Sequence, residues 1–329
     1  MHPCKTRLAF AAAAMLVSGV AAQEPARTWP TRNVTMVVAF APGGPLDGLA
    51  RNLQPYLSET LGQQVIIENV AGGGGTIGSL RVANADSDSH MILLGSVGTH
   101  AISQSMYTSP PYNALTDFAP VILVADAPQV LLVRKDLPAR NLREFAAYAR
   151  ANQDKMQHGS GGAGTSSHIG CVLLNQTIGV KITHVPYRGG GPAMQDLLAG
   201  RIDYICNYIS TAIGAHQNKT AKVIAALTGR RTASFPEVST AQEEGFANLD
   251  ISAWNAAFMP RNTPAPLVQR LNAAISKALD QPALRKRLDD IGLEVPAPER
   301  RTSAYLAQFV AAEIKRWEAP VRASGASFD

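Results

Sequence analysis

The segment from Val37 to Asp47 constrains the fold most, because an apolar run ends there in a glycine turn that leads into a helix. Gly43 and Gly44 lack a Cβ, so a ligand can approach their N–H groups closely. Pro45 suits a first helical turn, and apolar residues recur at helical spacing from Leu46 to Leu61. The segment predicts unpaired helix N-terminal N–H groups that can bind an anion. A tight connection without a ligand fits this segment alone equally well.

The order of strand, glycine turn and helix recurs along the chain. Further glycine turns occupy residues 72–78, 95–100, 159–164 and 187–192, each after a candidate strand. Alternating strands and helices of this length predict an α/β protein with mainly parallel sheets flanked by helices. Ligands bind beyond the carboxyl ends of the strands in such sheets, where these turns would lie.

The chain is long enough for two lobes. Two segments predict crossovers between them, one near Ala127 and Pro128 and the other between Trp254 and Pro260. We expect residues 23–124 and 250–329 to form the first lobe and residues 125–249 to form the second. Two connections between lobes predict a hinged cleft in which a ligand is held.

Residues 1–22 have the pattern of a signal peptide. Lys5 and Arg7 precede an apolar run that ends with a small-residue cleavage site at Ala22. The predicted location is the periplasm, with cleavage near Ala22. No later stretch of the sequence is long and apolar enough to predict a membrane span.

Charge and cysteine content exclude some functions and leave others open. After removal of the first 22 residues the net charge is about +3, which is too weak to predict nucleic-acid binding. Cys171 and Cys206 remain in the mature chain, either as a disulfide or as buried thiols.

The motifs predict no cofactor, no metal and no catalysis. The glycine patterns at 73–78 and 159–164 resemble dinucleotide turns, but the acidic residue for the ribose is absent from both. Ser160 lies near His158, His168 and His184 in sequence, although no spacing places an acid beside a histidine. His158 and His168 lack the spacing of a metal site, and His158 is predicted to line the cleft wall.

The turns instead supply small, neutral hydrogen-bond donors such as Ser96, Ser160, Thr165 and Ser166. Such donors suit a carboxylate without an arginine partner. Asp47 is either an ordinary acid of a first helical turn or a contact to an amine or hydroxyl of the ligand.

The chain resembles the Bug receptors, the periplasmic solute-binding proteins of tripartite tricarboxylate transporters. The resemblance rests on segments 39–51, 68–78, 117–120, 185–190 and 254–264, which span nearly the whole mature chain. It implies a two-lobed periplasmic-binding-protein (Venus-flytrap) fold that closes on a small carboxylate. It also implies that Phe40 forms an apolar wall, that Gly43 and Gly44 donate amides, and that Ser160, Gly161 and Thr165 donate from the other side.

Two positions depart from the family pattern. Leu46 replaces a small or hydroxyl residue, and Asn207 replaces an Asp, so a dicarboxylate or aromatic acid is favoured over an amino acid. The residues predicted to bind the ligand are Phe40, Gly43, Gly44, Asp47, Ser96, His158, Ser160, Gly161, Thr165, Ser166 and Asn207.

The sequence thus predicts a monomeric periplasmic receptor, not an enzyme. It would deliver a small-molecule carboxylate to integral membrane transporter subunits. The alternatives are a ligand sensor for a membrane signalling partner and a periplasmic hydrolase that uses Ser160.

Overall fold

The computed structural model describes residues 29–87, 90–229, 231–232, 234–247, 249–323 and 325. The predicted signal peptide lies outside these residues. None of the helices in the described part of the chain combines the length and the apolar character that crossing a membrane requires.

Nine strands of the described chain form one mixed sheet. Its order is β2-β1-β3-β9-β4-β7-β5-β6, and β8 also pairs with β4. The strands are β1 (Val34–Val38), β2 (Val65–Asn69), β3 (Met91–Ser96), β4 (Phe118–Arg134), β5 (Gln157–Ser160), β6 (Thr183–Pro186), β7 (Tyr204–Tyr208), β8 (Ala221–Ala226) and β9 (Ser252–Pro260).

Helices cover the sheet and present apolar stripes to it. In α1, for example, Leu49, Leu53 and Leu57 lie on one buried face at the spacing of helical turns. The helices are α1 (Pro45–Leu61), α2 (Thr76–Ala83), α3 (Ser103–Met106), α4 (Leu142–Asn152), α5 (Ser166–Ile178), α6 (Gly190–Leu198), α7 (Ile209–Gln217), α8 (Ala265–Leu279), α9 (Pro282–Asp290) and α10 (Ser303–Ala323).

Strand β4 belongs to both lobes. Its residues 118–128 pair with β9, whereas the residues from Gln129 onward pair with β7 and β8. We call the part on the side of β1, β2, β3 and β9 lobe 1, and the part on the side of β5, β6, β7 and β8 lobe 2. Adjacent β4 side chains in lobe 2 enter different apolar cores, because successive side chains of a strand point to opposite faces.

The structure refines three predictions about the elements. The crossover predicted near Ala127 and Pro128 lies inside one continuous strand, β4. The outer strands are parallel as predicted, but β4 and β9 pair antiparallel with their neighbours because they run between the lobes in opposite directions. The pairing of β4 changes at Pro128, four residues beyond the predicted lobe boundary; the lobe assignment itself stays a prediction.

Helix α1 continues through Pro55, although a proline inside a helix normally kinks or ends it. The proline removes one backbone hydrogen bond, at a cost of about 3 kcal/mol. Burial of Leu53 and Leu57 on either side offsets this cost, since each buried leucine contributes roughly 1.5–3 kcal/mol.

Candidate functional site: a closed cleft between the lobes

Helix N-termini from both lobes meet at one cavity. Lobe 1 contributes Gly44 and Pro45 at the start of α1, and lobe 2 contributes the starts of α5 and α6 together with Tyr208, which precedes α7. The cavity encloses about 560 Å³ between atoms, including its open mouth. No side chain caps α1, α6 or α7. The N-terminal N–H groups and helix dipoles therefore make this cavity favourable for negative charge.

The described residues that line this cavity carry no charged side chain. Hydroxyl and amide groups come from Ser96, Ser166, Ser167, Asn207 and Asn255. The apolar part of the wall consists of Phe40, Ala41 and Leu46. Such a lining can hold an anion through hydrogen bonds, but it provides no acid or base for proton transfer.

Hydrogen bonds within lobe 2 fix the polar wall. The N–H of Gly161 donates to Ser167 Oγ at 3.0 Å, and Thr165 Oγ1 donates to the Gly162 carbonyl at 2.7 Å. Ser166 Oγ lies 2.8 Å from the hydroxyl of Tyr208. The turn before α5 is therefore preorganised rather than dependent on a ligand for its shape.

The lobes touch across the cleft, so the structure is in a closed conformation. A Cβ built on Gly189 would lie 3.5 Å from Ala41 Cβ, and one on Gly190 would lie 3.7 Å from Pro45 Cδ. At Gly74 the approach is closer, because a Cβ there would lie 2.7 Å from the carbonyl oxygen of Ala163.

Asp47 and Gly43 do not line the cavity, although both are among the residues predicted to bind the ligand. Asp47 is buried, and its Oδ2 accepts hydrogen bonds from Gly43 N–H at 2.9 Å and from Arg51 Nε at 2.8 Å. Its Oδ1 accepts from Asn69 Nδ2 at 3.1 Å. The Gly43 amide is thus used within the turn, and Asp47 holds the turn in place through these bonds.

Burial opposes ionisation of Asp47, yet hydrogen bonds from Arg51, Gly43 and Asn69 outweigh burial and lower its pKa. The carboxylate is therefore charged at neutral pH. Arg51 on the next helical turn and the surrounding donors compensate this charge.

His158 and Ser160 also lie outside the cavity lining. Both are buried, and Ser160 Oγ lies 2.7 Å from His184 Nε2. The ring of His158 stacks on His184 at 4.9 Å and on Tyr204 at 5.5 Å. In the described chain no acidic side chain is hydrogen-bonded to His184, and Ser160 is buried below the turn. The pair supports the turn from below, and the geometry does not fit a nucleophile.

Burial lowers the pKa of His158 and of His168 to about 3, with a further contribution from the neighbouring histidines. Burial likewise lowers the pKa of His184 to about 4. These rings are neutral at pH 7. Among the described residues, no group of three or more His, Cys, Asp or Glu side chains has an arrangement that could hold a metal ion.

Seven of the predicted residues do meet at the cavity: Phe40, Gly44, Ser96, Gly161, Thr165, Ser166 and Asn207. Their contact with a ligand stays a prediction. Sequence reasoning missed Tyr208, Asn255 and the pair Gly189 and Gly190. The turn at 187–192 gave a signal for the glycines, whereas Asn255 lies inside a predicted crossover and had none.

Cys171 and Cys206 form a disulfide, which resolves the alternative that the sequence leaves open. Their Cα atoms are 5.3 Å apart, and both side chains are fully buried. The bond joins α5 to β7, and Cys206 immediately precedes Asn207 of the cavity wall. It therefore links two of the elements that shape the lobe 2 side of the cleft.

The two-lobed fold and its closed, neutral cleft define a solute-binding protein. Residues 49–326 match the family described as "Tripartite tricarboxylate transporter family receptor". The chain belongs to this family, as the sequence predicts. Membership makes it a receptor and not an enzyme.

Solved structures with similar folds extend this comparison. MatC from Rhodopseudomonas palustris, solved with bound malate, is 42% identical with a TM-score of 0.86; the match covers 89% of this chain and 100% of MatC. The periplasmic binding protein BugD is 33% identical with a TM-score of 0.87, over 91% of this chain and 99% of BugD. R. palustris Rpa4515, solved with adipate, is 32% identical with a TM-score of 0.86; the match covers 90% of this chain and 98% of Rpa4515.

Proposed function

We propose that this protein binds a small organic dicarboxylate in the periplasm and delivers it to the membrane subunits of a tripartite tricarboxylate transporter. The observation that carries the proposal is the convergence of uncapped helix N-termini from both lobes on a cavity without charged lining residues. One carboxylate would face the start of α1, and the other would face the starts of α5 and α6.

The similar structures support a dicarboxylate. Malate in MatC and adipate in Rpa4515 each carry two carboxylates. In this chain Phe40 and Leu46 supply an apolar wall suited to the carbon chain between them.

The lining argues against an amino acid as ligand. An ammonium group needs an acidic or carbonyl partner when it is buried. Asp47 is engaged within its own turn, and position 207 is an asparagine whose Oδ1 already accepts the Tyr208 N–H at 2.8 Å.

A thermal-shift screen of residues 23–329 against malate, adipate and aspartate tests the proposal. A ligand at about 100 times its Kd adds roughly 2.7 kcal/mol to the free energy of unfolding. We expect malate and adipate to raise the melting temperature and aspartate to leave it unchanged. Stabilisation by aspartate alone, or by none of these compounds, would contradict the proposal.

Variants of α5 localise the binding in the same experiment. Ser166→Ala should weaken binding by about 0.5–1.5 kcal/mol, because it removes one neutral hydroxyl from the cavity wall. Thr177→Ala near the other end of α5 removes an exposed hydroxyl and should leave affinity unchanged.

Uptake of a bound diacid by cells with and without the receptor gene tests delivery.

A further inference from the structure

A second, outer chamber adjoins the inner cavity. Residues 71–75 of lobe 1 and residues 161–163 and 186–188 of lobe 2 line it, and it encloses about 1060 Å³ including its open mouth. Phe40 and Gly161 line both spaces. The inner cavity and the outer chamber are therefore neighbouring spaces that meet at these two residues.

A run of four glycines forms most of the lobe 1 wall of the outer chamber, beside Phe40 and Ala71. Gly72, Gly73, Gly74 and Gly75 all have positive φ values, from 57° to 132°, which residues with a Cβ rarely adopt. The run therefore keeps this part of the wall free of side chains.

Arg188 supplies the one charged side chain among the described residues that line the outer chamber. It is exposed, and within the described part of the chain its guanidinium forms no ion pair or hydrogen bond. Its neighbours are fixed: the N–H of Tyr187 donates to the Ser160 carbonyl at 3.1 Å, and the Tyr187 hydroxyl donates to Asp196 at 2.6 Å. Gly189, the next residue, already lines the inner cavity.

We propose that the outer chamber is a distal subsite for α,ω-dicarboxylates longer than four carbons, and that Arg188 binds their second carboxylate. The inference rests on the proposed function and extends it to ligand length. A four-carbon diacid fits within the inner cavity and is held by helix N-termini. A longer diacid passes Phe40 and places its distal carboxylate beside Arg188, where no protein carboxylate competes for the guanidinium.

Calorimetric titration of succinate, adipate and suberate into the wild type, Arg188→Gln and Arg188→Glu tests this subsite. We expect Arg188→Gln to lower the affinity for adipate and suberate by about three- to tenfold, a modest loss because the ion pair is partly exposed. The affinity for succinate should not change. Arg188→Glu should weaken the two longer acids further. Raising the salt concentration should narrow the difference between wild type and Arg188→Gln for suberate.

Lys181→Gln is the matched control, because Lys181 is an exposed cation of the same lobe that lies before β6, whereas Arg188 follows this strand. An equal loss in Lys181→Gln would mean that overall charge, not the subsite, sets the affinity. Equal losses for all three acids, or no loss in Arg188→Gln, would also overturn the subsite while leaving the proposed function intact. Wild-type protein that binds none of the acids would overturn the proposed function as well.

Discussion

Asp47 shows how a single acidic residue shapes an anion site that it does not touch. Its carboxylate ties together the Gly43 N–H, the Asn69 side chain and Arg51. Asn69 also donates to the Phe40 carbonyl at 3.0 Å, so the network fixes both ends of the turn before α1. Asp47 is thus a positioning residue for the lobe 1 half of the cleft.

Replacement of Asp47 by alanine should affect both stability and binding. The change removes the charged acceptor of the Gly43 N–H and one of the two acceptors of the Asn69 amide, which costs about 1–3 kcal/mol. We expect urea denaturation to show this loss and calorimetry to show weaker binding of every diacid. Glu59→Ala removes an exposed carboxylate from the same helix and should change neither quantity. Unchanged affinity in Asp47→Ala would show that the turn keeps its shape without the network.

The glycine run of residues 72–75 allows the lobes to meet, because a Cβ on Gly74 would overlap the Ala163 carbonyl oxygen of lobe 2. Gly74→Ala should weaken diacid binding by about tenfold or more, since the new Cβ would collide with the Ala163 carbonyl and hold the cleft open. Small-angle scattering with saturating ligand should report a larger radius of gyration than in the wild type.

Gly62→Ala is the control that distinguishes the effect of Gly74→Ala on closure of the cleft from its effect on backbone strain. Gly62 has a similar φ of 71°, but a Cβ there meets nothing within 4 Å. Both variants should lose about 1–2 kcal/mol of stability from the left-handed backbone. Only Gly74→Ala should lose affinity, and equal losses in the two variants would remove the collision as the cause.

The elements show which parts of the site were predictable from the sequence. Helix starts depend on local signals such as Gly44-Pro45 and the Thr165 cap, so their positions could be predicted. The partners of polar groups could not, because Asp47 bonds to a residue 22 positions away and Ser160 to one 24 positions away. These long-range bonds hold the side chains of Asp47 and Ser160 outside the cavity lining.

At the scale of the whole molecule, buried neutral histidines make stability depend on pH. His158 has a pKa lowered by burial to about 3, whereas an unfolded histidine titrates near 6.5. Between these values the unfolded state binds more protons, so the free energy of unfolding falls as pH decreases from about 6.5 towards 3.

His158→Phe should therefore reduce this pH dependence. One buried histidine contributes a slope of about 1.4 kcal/mol per pH unit near pH 5, and the variant should lack it. At pH 7 the variant should be at least as stable as the wild type, because within the described chain the buried Nδ1 of His158 has no hydrogen-bond partner. Denaturant titrations at pH 4.5, 5.5 and 7 measure both effects, and an unchanged slope would argue against a neutral buried His158.

The shared strand β4 also limits how such a molecule can be divided. Its first eleven residues complete the sheet beside β9, and the remainder lies between β7 and β8. A fragment that contains either half would need all seventeen residues of β4. Without them its apolar sheet would have an unpaired edge strand. Exchange of halves between relatives by fusion should therefore succeed only at junctions that keep this strand intact.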